Sequence, residues 1–241
     1  MLEVFRKQTS EIVTELKREG LAEFHECATS EGGPSFNVLL SPGALDRQKV
    51  ILVVSGIPEE TGVWSYTLLQ QERPQDASMG PYFELARSLD WGIIALNPHG
   101  GGREGDRSEY HRQLQSVLQL LLGAGSPRTV VLVCFSAGGS IAFEFLDQHP
   151  ELAGKIGSAI LIDTTPPPLI KRRIKQEVKD LLLRTVLYGL EDEDRKMSAW
   201  ASATSSVLGL SPKPIKAALH GELPNLLVGE VERMLKELRS P

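Results

Sequence analysis

Ser136 is the residue around which chemistry can be built. It sits in Cys134-Phe135-Ser136-Ala137-Gly138. Thr129 to Cys134 is a run of uncharged, mostly β-branched residues, the pattern of a strand buried on both faces. From Ser140 the period changes to helical, with Ile141, Ala142, Phe145 and Leu146 on one face. A strand that turns directly into a helix around Ser-x-Gly lifts the hydroxyl onto a tight bend, a nucleophile elbow, and demands small neighbours. The first N–H groups of the following helix are free to meet a developing negative charge, so Ala137 is a candidate oxyanion donor. The usual pattern opens with glycine, and here Cys134 takes that place.

A serine hydroxyl needs a base, and the base needs an acid to orient it. Asp163 ends the next apolar strand, Ser158 to Ile162, and is the natural acid. Glu232 is an alternative only if Pro224 to Gly229 is a strand. Five histidines compete for the base. His149 lies about 20 Å down the elbow helix at 1.5 Å per residue, which excludes it. His25 reads as an edge-strand residue and His111 as a surface residue at a helix start. His99 lies at a strand end but a strand or two away from Ser136. His220 follows Asp163, in a loop between the last two helices, and is the preferred base, with His99 left open. Lys49 to Ser55 is another buried strand. The backbone N–H groups just beyond it, at Gly56 and Ile57, are the candidate second half of an oxyanion hole, against the plainer reading of a simple strand exit.

The elements that must position these residues read as follows. Leu2 to Glu19 is an amphipathic helix stopped by Gly20. Leu21 to Cys27 and Ser35 to Leu40 form a hairpin. A long loop runs from Gly56 to about Gly80, a helix from Pro81 to Leu89, and a third buried strand from Trp91 to Asn97. Gly100, Gly102 and Gly105 spell G-x-G-x-x-G before a helix from Glu109 to Leu122. A dinucleotide site would want an acid about 20 residues on, at the end of the next strand, and none is there. From Ile170 the reading is helical: Lys171 to Tyr188, Asp194 to Val207, Lys213 to Leu219, and a closing helix from Pro224 to Arg239. Strands alternating with helices predict one α/β domain over 1–241, a doubly wound, mostly parallel sheet with an N-terminal helix and hairpin. Residues 168–210 would form a helical, lid-like segment, and the helical C-terminal segment is a candidate surface for a protein partner.

Composition narrows the classes. The chain has 241 residues, 41% hydrophobic and 24% charged, with net charge −5. That balance fits one large soluble domain and argues against a nucleic-acid footprint, which needs a clustered basic face. Cys27 and Cys134 read as buried, reduced thiols, not a disulfide or metal site. No apolar run approaches the roughly 18 residues of a membrane span. Glu3, Arg6, Lys7 and Glu11 make the N-terminus unlike a secretory signal. The expected localisation is cytoplasmic, with no cofactor and no metal.

LLSPGAL (Leu39 to Leu45), KVILVVSG (Lys49 to Gly56), the Trp64 neighbourhood, PYFELARSLDWGIIALNP (Pro81 to Pro98), FSAGG (Phe135 to Gly139) and AILIDTT (Ala159 to Thr165) stand in order over a little more than half the chain. Together they resemble the α/β-hydrolase-fold domain of the argonaute-binding and histone-deacetylase-associated proteins and their cotranscriptional-regulator relatives. The resemblance implies the hydrolase fold, with Ser136 at the nucleophile position, Asp163 at the acid and His220, in H-G-E-L, at the base. It also admits a nuclear location. The family usually has His-Gly where Ser55-Gly56 stands and His where Phe135 stands. Two functions follow as expectations. One is a serine hydrolase acting on a small carboxylic ester or related acyl substrate. The other is a catalytically inactive domain of the same fold that serves as a binding scaffold.

Overall fold

The computed structural model describes residues 2–29, 35–56, 61–96, 107–123, 128–169, 173–192 and 196–238. Eight strands form one sheet: β1 (Glu23–Cys27), β2 (Phe36–Leu40), β3 (Lys49–Val54), β4 (Gly92–Ala95), β5 (Thr129–Phe135), β6 (Ile156–Ile162), β7 (Thr185–Glu191) and β8 (Lys213–Lys216). Their spatial order is β1-β2-β4-β3-β5-β6-β7-β8. The hairpin β1–β2 and the β2–β4 pair are antiparallel, and every pair from β4 to β8 is parallel. The most apolar strands, β3 and β5, lie at the centre, where both faces are covered, so they show no polar alternation.

The helices are α1 (Leu2–Arg18), α2 (Tyr66–Gln70), α3 (Pro74–Ala77), α4 (Gly80–Ser88), α5 (Arg107–Leu122), α6 (Ala137–Gln148), α7 (Pro150–Ala153), α8 (Gln176–Leu182), α9 (Ala199–Leu208), α10 (Leu223–Leu226) and α11 (Val228–Glu237). They divide between the faces. Phe5, Leu16, Phe83 and Val231 from α1, α4 and α11 pack on one side with Ile51, Val133 and Ile160. Leu118, Phe145 and Leu181 from α5, α6 and α8 pack on the other with Leu52, Leu132 and Leu161. Strand alternation sends neighbours in one strand to opposite cores. Among the described residues, no helix is long and apolar enough to cross a membrane.

Several expectations change. The helix expected over Lys171 to Tyr188 divides into α8 and strand β7, and the helix expected over Lys213 to Leu219 is strand β8. The 168–210 segment is therefore not wholly helical, because β7 joins the central sheet between α8 and α9. The loop after Gly56 contains α2 and α3. The Pro224 to Gly229 stretch is helical, not a strand, which removes the case for Glu232 as acid. Glu232 lies in α11 and pairs with Lys236 at 2.6 Å.

Candidate active site

The site lies at the carboxyl ends of the parallel strands, where such sheets leave a crevice. Ser136 directly follows β5 and takes φ 56 and ψ −127, a conformation rare for a residue with a Cβ. Its backbone is held on both sides. Its N–H donates to the Ile162 carbonyl at 3.2 Å, and its own carbonyl accepts from the Thr165 N–H at 3.0 Å. Strain persists where surrounding structure over-determines it, and here the end of β6 does so. Gly138 shows why the elbow needs a small residue. A Cβ there would lie 2.7 Å from the Val54 carbonyl carbon and 2.8 Å from the Ser55 oxygen, so α6 starts in direct contact with the end of β3. Ala137 is the first residue of α6, and its N–H is one of the amides that a helix start leaves without an intrahelical partner.

Asp163 directly follows β6 and is 2% exposed, with φ 41. Its N–H donates to the Tyr188 carbonyl in β7 at 2.7 Å. Its Oδ2 lies 2.7 Å from His220 Nδ1. Its Oδ1 accepts from the Ser198 hydroxyl and, at 3.4 Å, from the Leu190 N–H. Ser198 also caps α9, accepting from the Ala201 N–H at 3.1 Å. The acid is thus fixed jointly by β7 and the start of α9.

His220 opens a short 3-10 turn, His220–Glu222, after β8. Its ring stacks on Phe135 with centroids 4.5 Å apart and planes 23° apart, and it meets Trp200 edge-on at 4.9 Å and 86°. Phe135 is the residue before Ser136, so the imidazole sits against the elbow itself. A carboxylate only accepts, so Nδ1 must carry the hydrogen and Nε2 is the basic nitrogen. That Nε2 is buried and has no hydrogen-bond partner among the described residues. The described residues thus form no Ser136–His220 hydrogen bond. Such bonds commonly tighten only in the reacting complex.

The His220 turn is anchored from below. Glu222 accepts from the Ala218 and Leu219 N–H groups at 2.9 and 3.1 Å and pairs with Arg73 at 2.5 Å. Tyr82 donates to the Pro224 carbonyl at 2.8 Å, and Asn225 donates to the Asp76 and Ser78 carbonyls at 2.7 and 3.1 Å. Gly221 allows the turn to close onto Ser65, whose Cβ would lie 2.5 Å from an added methyl. Burial alone would push the Glu222 carboxyl up, but Arg73 and the two backbone N–H groups outweigh it and hold the group below its ordinary value. The stabilisation this provides is complete above the unfolded-state value and disappears as pH falls through the lower folded one. The gap in urea midpoint between wild type and Glu222→Gln should therefore be open at neutral pH and close between about pH 5 and 3. A gap that stays constant on acidification would contradict the assigned role.

Gly56 follows β3 and is buried, and the Tyr110 hydroxyl holds the Ser55 and Gly56 carbonyls at 3.1 and 3.5 Å. Ser55 is 1% exposed and its hydroxyl has no partner among the described residues. Ile57, His99 and the G-x-G-x-x-G run lie outside the described residues. His25 is in edge strand β1, and His149 is at the end of α6 beside Phe145. His111 lies in α5 with its Nε2 buried and its ring 5.6 Å from Phe145, rather than on the surface. Burial pushes the Cys134 thiol up, which leaves it inert packing in the core. The structure thus joins Asp163 to His220, lays the His220 ring on Phe135 next to Ser136, and adds Ser198, Trp200 and the Arg73–Glu222 anchor. The sequence offered only a weak signal for Ser198, a serine just before Ala-Trp-Ala, and none that linked it to Asp163 before β7 was known.

No family model matches the chain, and no curated protein matches its sequence. Solved structures do match in shape. An α/β serine hydrolase without a lid from Xanthomonas campestris superposes with a TM-score of 0.56 at 14% identity, covering 89% of this chain and 94% of that one. Naproxen esterase from Bacillus subtilis gives 0.54 at 14% identity, covering 92% and 96%. A fungal esterase from Rhizomucor miehei gives 0.56 at 13% identity, covering 98% and 90%. At these identities the likeness speaks for architecture: strand order, elbow and near full-length superposition agree that this chain has the α/β-hydrolase fold.

Proposed function

We propose that the protein is a serine hydrolase acting on a carboxylic ester or related acyl substrate through Ser136, His220 and Asp163. His220 Nε2 takes the Ser136 proton as Oγ bonds to the acyl carbon. The carbonyl oxygen becomes an oxyanion, met by the N–H groups of Ala137 and Ile57 beside Gly56. Collapse breaks the bond to the leaving group, which takes the proton from Nε2. Water then attacks the acyl-enzyme, gives a proton to Nε2, and Ser136 departs as the hydroxyl. The mechanism requires side chains and backbone alone. Helix α9, which carries Trp200 against His220, is assigned as the wall beside the site.

The observation that carries this reading is the buried Asp163 carboxylate 2.7 Å from His220 Nδ1, with the ring lying on the residue next to Ser136. A structural ion pair has no need of an elbow serine beside it. With p-nitrophenyl acetate, Ser136→Ala and His220→Ala should each lower kcat by about 10⁴-fold or more, and the double variant should be no worse than either single one. Additive losses, or turnover that survives Ser136→Ala, would defeat the proposal.

A second reading, a binding scaffold on the same fold, is favoured by Cys134 at the elbow's first glycine position and by the open Nε2. The resemblance to the argonaute-binding and histone-deacetylase-associated proteins points the same way. A folded protein that turns over no activated acyl ester would select it.

A further inference from the structure

We propose that Trp200 reads the leaving group, and that the substrate leaves as an alcohol or thiol carrying a flat apolar, aryl-type face. The inference rests on the hydrolase reading and deepens it. His220 has two aromatic neighbours with different surroundings. Phe135 is fully buried and covers one ring face, whereas Trp200 stands nearly perpendicular to the ring and remains 43% exposed. One indole thus touches both the imidazole and the open space beside it.

The chemistry decides which half of a substrate meets that space. The proton that His220 takes from Ser136 must return to the leaving atom, so the leaving group stops within hydrogen-bond reach of Nε2. The acyl carbonyl is held on the other side of Ser136, toward the Ala137 N–H. A residue against the His220 ring therefore borders the leaving group. Nε2 is itself buried without a partner among the described residues, and once it has taken the Ser136 proton it donates to the leaving atom brought beside it.

Trp200 is also placed firmly enough to select. It stands in the first turn of α9, two residues after Ser198. Ser198 is bound to the Asp163 carboxylate, its N–H donates to the Leu190 carbonyl at 2.7 Å, and Thr204 in the same helix donates to the Thr164 carbonyl at 2.6 Å. The acid and the indole are thus held by one helix start. Indole offers a broad apolar face, and an aromatic ring packed on it gains several-fold in binding beyond burial of area.

The test compares two esters of one acid, benzyl acetate and methyl acetate, which share the acetyl-enzyme and differ only in what leaves. The full-length wild type, Trp200→Ala and Trp200→Phe are compared by the ratio of kcat/KM for the two esters. Trp200→Ala should lower the benzyl-to-methyl ratio about tenfold, and Trp200→Phe, which restores a flat ring, should recover most of it. An equal fall on both esters would overturn the proposal, because Trp200 would then merely shore up His220. An unchanged ratio would overturn it too. If the wild type hydrolyses neither ester and no variant-sensitive nucleophile is found at Ser136, the hydrolase reading has failed first, a result distinct from turnover whose ratio ignores Trp200.

Discussion

Asp163→Asn should lower kcat by roughly 10⁴-fold while leaving the protein folded. The direction follows from which donors face the side chain. Oδ1 receives the Leu190 N–H, which cannot become an acceptor, and also the Ser198 hydroxyl. The amide oxygen of asparagine must therefore take that position. Its NH₂ group then lands where Oδ2 now meets His220 Nδ1 at 2.7 Å. Two N–H donors cannot share a hydrogen bond, so the imidazole is driven to the tautomer with hydrogen on Nε2, and that nitrogen can no longer accept the Ser136 proton. The backbone tolerates the change, because asparagine adopts positive φ readily and Asp163 sits at φ 41. Steady-state kinetics alongside a thermal melt checks this. A loss below about tenfold with the melt unchanged would show that the carboxylate does not orient the base.

The second large effect is steric. Gly138→Ala should prevent folding or cost more than about 3 kcal/mol, since the new Cβ would meet rigid strand backbone. The atoms in the way are the carbonyl groups of Val54 and Ser55. Val54 ends the central strand β3, which is paired on both sides and cannot move aside, and Ser55 directly follows it. The comparison variant is Gly229→Ala in α11, where nothing lies within 4 Å of the added methyl. There, alanine should stabilise by about 0.5–1 kcal/mol through helix propensity. Urea denaturation of both variants checks the pair. A Gly138→Ala protein as stable as wild type would mean that α6 does not start against β3, and the elbow geometry would be wrong.

The elbow and its sheet were readable because the central strands carry their signal in themselves. β3, β5 and β6 are covered on both faces and carry uncharged, mostly apolar runs from Val50, Thr129 and Ala159 onward, and Asp163 marks the point where one of them ends. The outer strands carry no such signal. β8 reads Lys-Pro-Ile-Lys and is mostly exposed, the composition of an edge strand that discourages further pairing. β7 follows Leu181-Leu182-Leu183 without a break in helical texture, and only its pairing with β6 makes it a strand. Elimination and chain order favoured His220 and left His99 open. What holds it there could not be read. Ser198 reaches Asp163 only because β7 enters the sheet and returns the chain over the site. The Arg73–Glu222 pair joins positions far apart in the chain, through a segment that read as loop. Phe135, a departure from the resembled family, acquires a role only when its ring is seen under the imidazole.

The central claim is that the hydroxyl on the elbow is a nucleophile activated by His220, whose ring lies on the neighbouring Phe135. Its most direct test is to treat the native protein with a fluorophosphonate and to map the adduct by peptide mass spectrometry. The account predicts a single phosphonyl adduct on Ser136, lost in His220→Ala although the serine is still present. An unmodified Ser136 in folded wild-type protein, or equal labelling with and without His220, would contradict it.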